Sequence, residues 1–410
     1  MNTLHRLLFS LLATALCGCH AISPTALPAR PTPTYPLATV APMQGPNLAL
    51  VNGTLFDGTG ADPLPEAVVL ISQGLVTSVG PGSTVTVPEG YRVIDVQDGF
   101  ILPGLINAHV HDGYDESNLQ AWAAAGVTTV RDLGRSPPAA ASFERRNSLR
   151  RDTASARLVA AGPFITVPRG YPIVPWGAGA LTVTTVAGAR ETVIQLIDEG
   201  ADVIKISLES GGTFERTLPV LSAEEASAIV SEAHARGKRV SAHITGVADV
   251  RRCLSAGVDD IAHMPAQPLS AELAVQVARA GVYWVPTLEL WHNVHPNAGQ
   301  VAVANLKLFL ESGGLVALGT DFAGYDAEFD LGLPIREMEW MMEAGMTARQ
   351  VLVAATRNAA VVCGLGRELG TVQSPYIADI LVVAGDPLAD IHALLDVRWV
   401  IHYGEVIRES

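Results

Sequence analysis

Six side chains in this chain are of types that hold divalent metal ions or move protons beside them, and each ends or interrupts an apolar run. His109 and His111 close the run Phe100 to His111, FILPGLINAHVH. In a β-strand successive side chains point to opposite faces, so the two imidazoles project the same way, about 7 Å apart along the strand. Two converging imidazoles make half of a divalent metal site. Lys205 interrupts ADVIKI, His243 ends KRVSAH, His263 ends VDDIAH and Asp321 ends LVALGTD. Singly, each has an ordinary structural reading: a paired buried amine, a hydrogen-bonded core histidine, a helix N-cap. Together they are four imidazoles, an amine and a carboxylate at strand ends, a donor set suited to divalent metal ions.

The elements that must position them form a repeat. An amphipathic helix, a glycine and a β-branched run recur as AAAGVTTV, DEGADVIKI, ARGKRVSAH, SAGVDDIAH, ARAGVYWVP and ESGGLVALGTD. Gly126, Gly200, Gly237, Gly257, Gly281 and Gly313 fall where a helix ends and a left-handed residue is needed. Ser222-x-x-Glu225 and Thr347-x-x-Gln350 read as capping boxes at helix starts. Helix alternating with apolar strand implies parallel strands. With Phe100–His111 and Arg157–Ala161 the count is eight, which predicts an α/β fold, a (β/α)8 TIM barrel over residues 100–366. Its chemistry then lies at the C-terminal ends of the strands. Short β-rich runs with turn residues occupy 47–99 and 367–410, which predicts one small β-sandwich domain formed from both ends of the mature chain.

Composition narrows the partners. A hydrophobic content of 49% and a charged content of 17% indicate a globular chain with an ample core. A net charge of −14 argues against nucleic acid, whose phosphates need a basic surface. Residues 1–19 combine Arg6, an apolar run from Leu7 to Leu16 and a small-residue end, a secretory signal too short to span a membrane. Leu16-Cys17-Gly18-Cys19 resembles a bacterial lipobox, with Cys19 as the lipidated first mature residue. Residues 20–46 read as a Pro-rich extended tether. The expected location is therefore exported, as a cell-envelope lipoprotein held to the membrane by its lipid alone, or else secreted. Cys253 and Cys363 sit in apolar helical patterns and read as buried free thiols.

The motifs LPGLINAHVH, GVTTVRDLG, GADVIKI, GTD at 319–321, ATRNAA at 355–360 and ADILVVAGDPLADI resemble the amidohydrolase superfamily, within it the imidazolonepropionase-like and prolidase-like metal-dependent hydrolases. The resemblance implies two divalent metal ions, zinc by preference. His109, His111 and Asp321 would hold one ion, and His243 and His263 the other. Lys205, as a CO2-derived carbamate, would bridge both beside a hydroxide. Burial lowers an amine's pKa and frees it to react, and a bidentate anion suits two cations ~3.5–4 Å apart. The implied reaction is attack of the bridging hydroxide on an amide or peptide C–N bond, with Asp321 carrying the proton to the leaving nitrogen. A dipeptidase- or prolidase-like small-molecule substrate bearing a carboxylate follows, and a homo-oligomer is compatible with it. Arg169 and Tyr171, in PRGYPIVPWG, and Tyr325, after the eighth strand, are the candidate substrate-binding residues.

Three departures weaken the choice of substrate: the fifth strand ends in HIT with one histidine, Ala262 replaces the usual Glu, and Pro-His-Gly after Asp321 is missing. Lactone or phosphoester hydrolysis would use the same centre. A mononuclear deaminase would typically lack Lys205. A non-catalytic surface lipoprotein would be free to lose the ligand set.

Overall fold

A computed structural model describes residues 45–410 except 151, 215, 325 and 326. The signal segment, Cys19, the tether up to residue 44 and Tyr325 lie outside the described residues. The chain first forms β1 (Leu48–Leu55), β2 (Leu64–Ser72), β3 (Leu75–Pro81), β4 (Arg92–Asp95) and β5 (Phe100–Pro103). Strands and helices then alternate: β6 (Leu105–Val110), α1 (Glu116–Ala124), β7 (Val127–Asp132), α2 (Ala139–Leu149) and β8 (Arg157–Ala160). An excursion that the sequence did not suggest follows, made of β9 (Ile165–Thr166), the single turn α3 (Ile173–Trp176) and β10 (Leu181–Thr182). After α4 (Val186–Glu199) come β11 (Ile204–Ser207), α5 (Ala223–Ala235), β12 (Val240–His243), α6 (Val247–Ala256) and β13 (Asp260–Ala262). The series closes with α7 (Ala271–Arg279), β14 (Tyr283–Val285), α8 (Leu288–Val294), α9 (Pro296–Glu311) and β15 (Leu315–Val316). Helices α10 (Ile335–Glu343), α11 (Ala348–Val353) and α12 (Ala359–Val362) lead to β16 (Ile380–Val383), β17 (Val397–His402) and β18 (Glu405–Glu409).

All eight expected α/β strands are present, as β6, β7, β8, β11, β12, β13, β14 and β15. They form a parallel three-stranded sheet, β6-β7-β8, and a parallel seven-stranded sheet that also holds β9 and β10. Most of their residues are buried, as parallel strands covered by helices require. Backbone hydrogen bonds join the two sheets at both seams. Asp202 N donates to Ala160 O at 2.9 Å on one side; Ala108 N donates to Leu318 O and Asp321 N to His109 O, both at 2.8 Å, on the other. All six junction glycines adopt positive φ, from +67° at Gly281 to +120° at Gly200. Both expected capping boxes form, Ser222 with Glu225 and Thr347 with Gln350.

The other sheet is assembled from both ends, in the order β18-β17-β16-β5-β1-β2-β3 with β4 against β1. Here the structure corrects the expectation of one strand from Phe100 to His111. The chain breaks at Gly104, so that β5 pairs with β16 and β1 while β6 joins the parallel sheet. A Cβ at Gly104 would overlap the Thr128 side chain, so only glycine lets the backbone pass this close to β7. Arg157 ties the two sheets, donating to Asp379 Oδ2 at 2.6 Å and to Thr129 Oγ1 at 2.8 Å. Burial acts to raise the Asp379 carboxyl, yet Arg157 and His402 hold it well below the usual carboxylate range. Cys253 and Cys363 are free and buried, as expected. Among the described residues no helix is long and apolar enough to cross a membrane.

One ion pair crosses the interior. Arg131 of β7 and Asp260 of β13 are both fully buried and meet through two hydrogen bonds of 3.0 and 2.9 Å. Arg131 also donates to Ala108 O at 2.6 Å and Val362 O at 2.9 Å. Removing one partner of such a pair leaves an uncompensated buried charge and costs about 3–5 kcal/mol. Arg131→Met is therefore expected to lower unfolding stability by about that amount, measured by urea denaturation. An unchanged midpoint and slope would show that the pair holds nothing together.

Candidate metal centre and active site

The side chains singled out in the sequence converge where the parallel strands end. His109 lies in β6 and is buried; His111 follows the strand and keeps a partly exposed edge. Both aim Nε2 at a single oxygen: Asp321 Oδ1 is 2.9 Å from His109 and 3.0 Å from His111. Asp321 arrives on the segment that continues β15, with its backbone N–H bonded to His109 O and a φ of +62°. A Cβ at Gly319 would come within 3.0 Å of His109, so the GTD glycine permits this close approach. His243 ends β12 and sets Nδ1 3.0 Å from His263 Nε2. The His109 and His263 ring centroids are 5.0 Å apart.

Lys205 sits one layer beneath. Strand register places it beside Ser241 and, one strand on, Asp260, while Ser207 lies beside His243. Its side chain is fully buried, and Nζ has no hydrogen-bond partner among the described residues. Its charge acts on His109, His111, His243 and His263. Burial and then the nearby Arg131 charge outweigh Asp260 and Asp321 and bring the amine down to about 7.

The acids and bases are pushed apart in the way a reactive site needs. Burial lowers His109 and His243 well below the ordinary imidazole value and His263 to about 4, so their neutral, metal-binding forms are favoured. Burial acts the same way on His111, but Asp321, with Asp132 behind, reverses it and raises that ring to about 9. Burial would raise Asp321; the histidines around it hold it well below the carboxylate range.

These residues fit divalent metal ions. His109, His263 and Asp321 each offer a donor atom, and the three atoms lie within 4.8 Å of one another. His109 Nδ1, His243 Nε2 and Lys205 Nζ are buried without hydrogen-bond partners among the described residues. Unsatisfied buried groups of this kind carry a penalty that a bound cation or its ligands relieves. Two outer nitrogens are anchored: His263 Nδ1 to Thr287 Oγ1 at 2.7 Å, and His111 Nδ1 to Gly134 O at 3.4 Å. Such contacts orient the ring and keep Nε2 facing inward. Thr287 itself has a φ of +52°, an outlier for a β-branched residue and of a kind that clusters at functional sites.

A cavity of about 240 Å³ opens onto this cluster at His111 and Asp321. Tyr171 lines it, stacked on His243 with ring centroids 3.8 Å apart and planes at 7°. Arg169, the basic group expected at the mouth, is exposed on a left-handed turn and is not among the lining residues. A different basic residue, Arg135, lines the cavity instead, with Phe164 and Trp176. Sequence reasoning missed Arg135, Trp176 and Thr287. Each sits in a segment following a strand, in RDLGR, PRGYPIVPWG and VPTL, and a survey of polar and aromatic residues after every strand would have found them.

The family model of the amidohydrolase family matches residues 100–406, and the chain belongs to that family. The family is generally metal-dependent. The chain is 26% identical to an ochratoxinase from Aspergillus niger over 414 aligned residues, covering 85% of this chain and 84% of that one. Its fold is similar to a Xaa-Pro dipeptidase solved with methionine in its active site, at a TM-score of 0.77 and 25% identity, over 89% of this chain and 100% of the other. It is also similar to a prolidase candidate from Bifidobacterium longum, at a TM-score of 0.75 and 28% identity, over 88% and 94% of the two chains.

The Thr287–His263 contact generates a test. Thr287→Val deletes the hydroxyl that fixes the ring, and loss of such a contact typically lowers metal affinity by roughly 10- to 100-fold. Competition for zinc with a chromophoric chelator should show that loss in Thr287→Val and near wild-type affinity in Thr287→Ser. Equal affinity in all three proteins would remove the orienting role.

Proposed function

We propose that this chain hydrolyses a carbon–nitrogen bond in a small amide that carries a carboxylate, in a dipeptide-like or N-acyl amino acid substrate. The observation that carries the reading is Lys205: a fully buried amine without a hydrogen-bond partner among the described residues, one layer below His243 and close enough to act electrostatically on all four histidines. His109, His111 and Asp321 would hold one divalent ion and His243 and His263 a second, with Lys205 as a further donor to the pair. Zinc suits the nitrogen and oxygen donors. In its neutral form Lys205 adds to CO2: an N–C bond forms, one proton leaves, and a bidentate carbamate replaces the amine. Two ions held there would polarise the amide carbonyl and lower the pKa of water.

The chain's own residues do the rest. Asp321, kept ionised by its histidines, takes a proton from the attacking water and returns it to the leaving nitrogen. The C–N bond breaks, the acyl carbon gains the hydroxyl, and the amine gains the proton. Tyr171 covers His243 and excludes water from that side. The bonds across both seams support a single closed (β/α)8 barrel beneath the site, with the composite sheet as a separate small sandwich. The methionine held by the related dipeptidase supports a substrate with an amino-acid part. Export with a lipid on Cys19 is proposed on the Leu16–Cys19 sequence alone.

A library of dipeptides, N-acyl amino acids, lactones and phosphoesters, assayed with zinc-loaded protein, tests the reading. Amine release from carboxylate-bearing amides is expected, with turnover lost by several orders of magnitude in Lys205→Ala. Short carboxylates such as acetate should restore part of that loss and alkylamines should not. Turnover confined to lactones or phosphoesters, or a fully active Lys205→Ala, would overturn it.

A further inference from the structure

The cavity beside the cluster has two unlike walls, and neither is needed to hold metal. One is aromatic. Phe164, Tyr171 and Trp176 line it, and Phe164 and Tyr171 pack edge to face at 6.0 Å. Tyr171 and Trp176 ride on the excursion between β8 and α4, whose ends are pinned by Leu181 N to Phe164 O and Val183 N to Thr166 O, both at 2.9 Å. Phe164 and Tyr171 are buried, whereas Trp176 keeps 52% of its surface exposed. An indole half in water at the wall of a cavity gains by being covered with apolar surface.

The other wall is Arg135. Its guanidinium carbon lies 4.7 Å from the centroid of the Tyr114 ring, a stack that limits where the side chain can go. Among the described residues it forms no ion pair. A planar guanidinium held by one face presents its edge N–H groups to a carboxylate, which it can bind through two hydrogen bonds. At about 240 Å³ the cavity is large enough for one amino-acid residue.

Resting on the hydrolase reading above, we propose that this cavity binds the amine-side residue of the substrate, a large apolar or aromatic amino acid. Its side chain lies on the Phe164–Tyr171–Trp176 wall, its α-carboxylate on Arg135, and its scissile nitrogen faces His111 and Asp321. The two walls make separate demands, one on charge and one on shape. Substrates ending in a bulky apolar residue are accepted, and those ending in glycine or an amide are discriminated against.

Calorimetric titration of the zinc-loaded protein with L-phenylalanine, L-phenylalaninamide and glycine reads both contacts without turnover. Phenylalanine is expected to bind about tenfold or more tightly than either other ligand. Arg135→Met should abolish the preference for acid over amide and keep the preference for phenylalanine over glycine. Trp176→Ala should weaken the second preference and keep the first; both side chains are exposed enough for the variants to fold. Equal affinities in the wild type, or preferences unmoved by these substitutions, overturn the assignment. The hydrolase reading fails separately: these binding preferences without amide turnover would sink it and leave the pocket assignment standing, while turnover without the preferences would do the reverse.

Discussion

The Arg131–Asp260 pair sets the frame for everything above it. Two opposite charges 129 residues apart in sequence are placed in the dry interior, where neither is tolerated alone. Arg131 also holds the carbonyl of Ala108, next to His109, and that of Val362 in α12. Asp260 opens β13, and His263 follows directly after the end of that strand. The pair thus fixes β6, β7, β13 and α12 relative to one another, and the histidines are carried on that frame. It also sets the field in which Lys205 sits, with Arg131 acting to lower its pKa and Asp260 to raise it. Burial is the largest influence on the amine, and it favours the neutral, reactive form.

Above that layer the donor cluster gathers around one carboxylate. Asp321 receives Nε2 of two histidines on one oxygen, and its backbone is bonded to the strand that carries them. Its left-handed φ, like that of Thr287, is a conformation that persists only when neighbours over-determine it. Both residues lie in segments that follow strands β14 and β15. The parallel strands supply rigid positions and the residues that follow them supply strained, close aim.

Much of this was legible in the sequence, because the signals are local. Strand-end histidines, glycines after helices and capping boxes are short patterns whose meaning does not depend on distant residues, and His109, Lys205, His243, His263 and Asp321 fall where those patterns put them. The break at Gly104 was not legible: the run from Phe100 to His111 is apolar throughout, and only the approach of Thr128, two strands later in the fold, forces the glycine and the change of sheet. The same holds for Arg131 with Asp260, and for Thr287 with His263. Arg169 was a candidate because it shares the PRGYPIVPWG loop with Tyr171, but the cavity is shaped by three-dimensional neighbours. Its basic wall comes from the loop after β7 and its aromatic wall from the loop after β8.

The central claim is that the four histidines, Lys205 and Asp321 form a two-metal centre that drives amide hydrolysis. Elemental analysis of the purified protein, run in parallel with amine release during stepwise chelation and zinc return, tests it most directly. The account predicts two divalent ions per chain, with turnover that falls as they are removed and recovers as zinc is restored. Full amide hydrolysis by protein carrying no metal would contradict it.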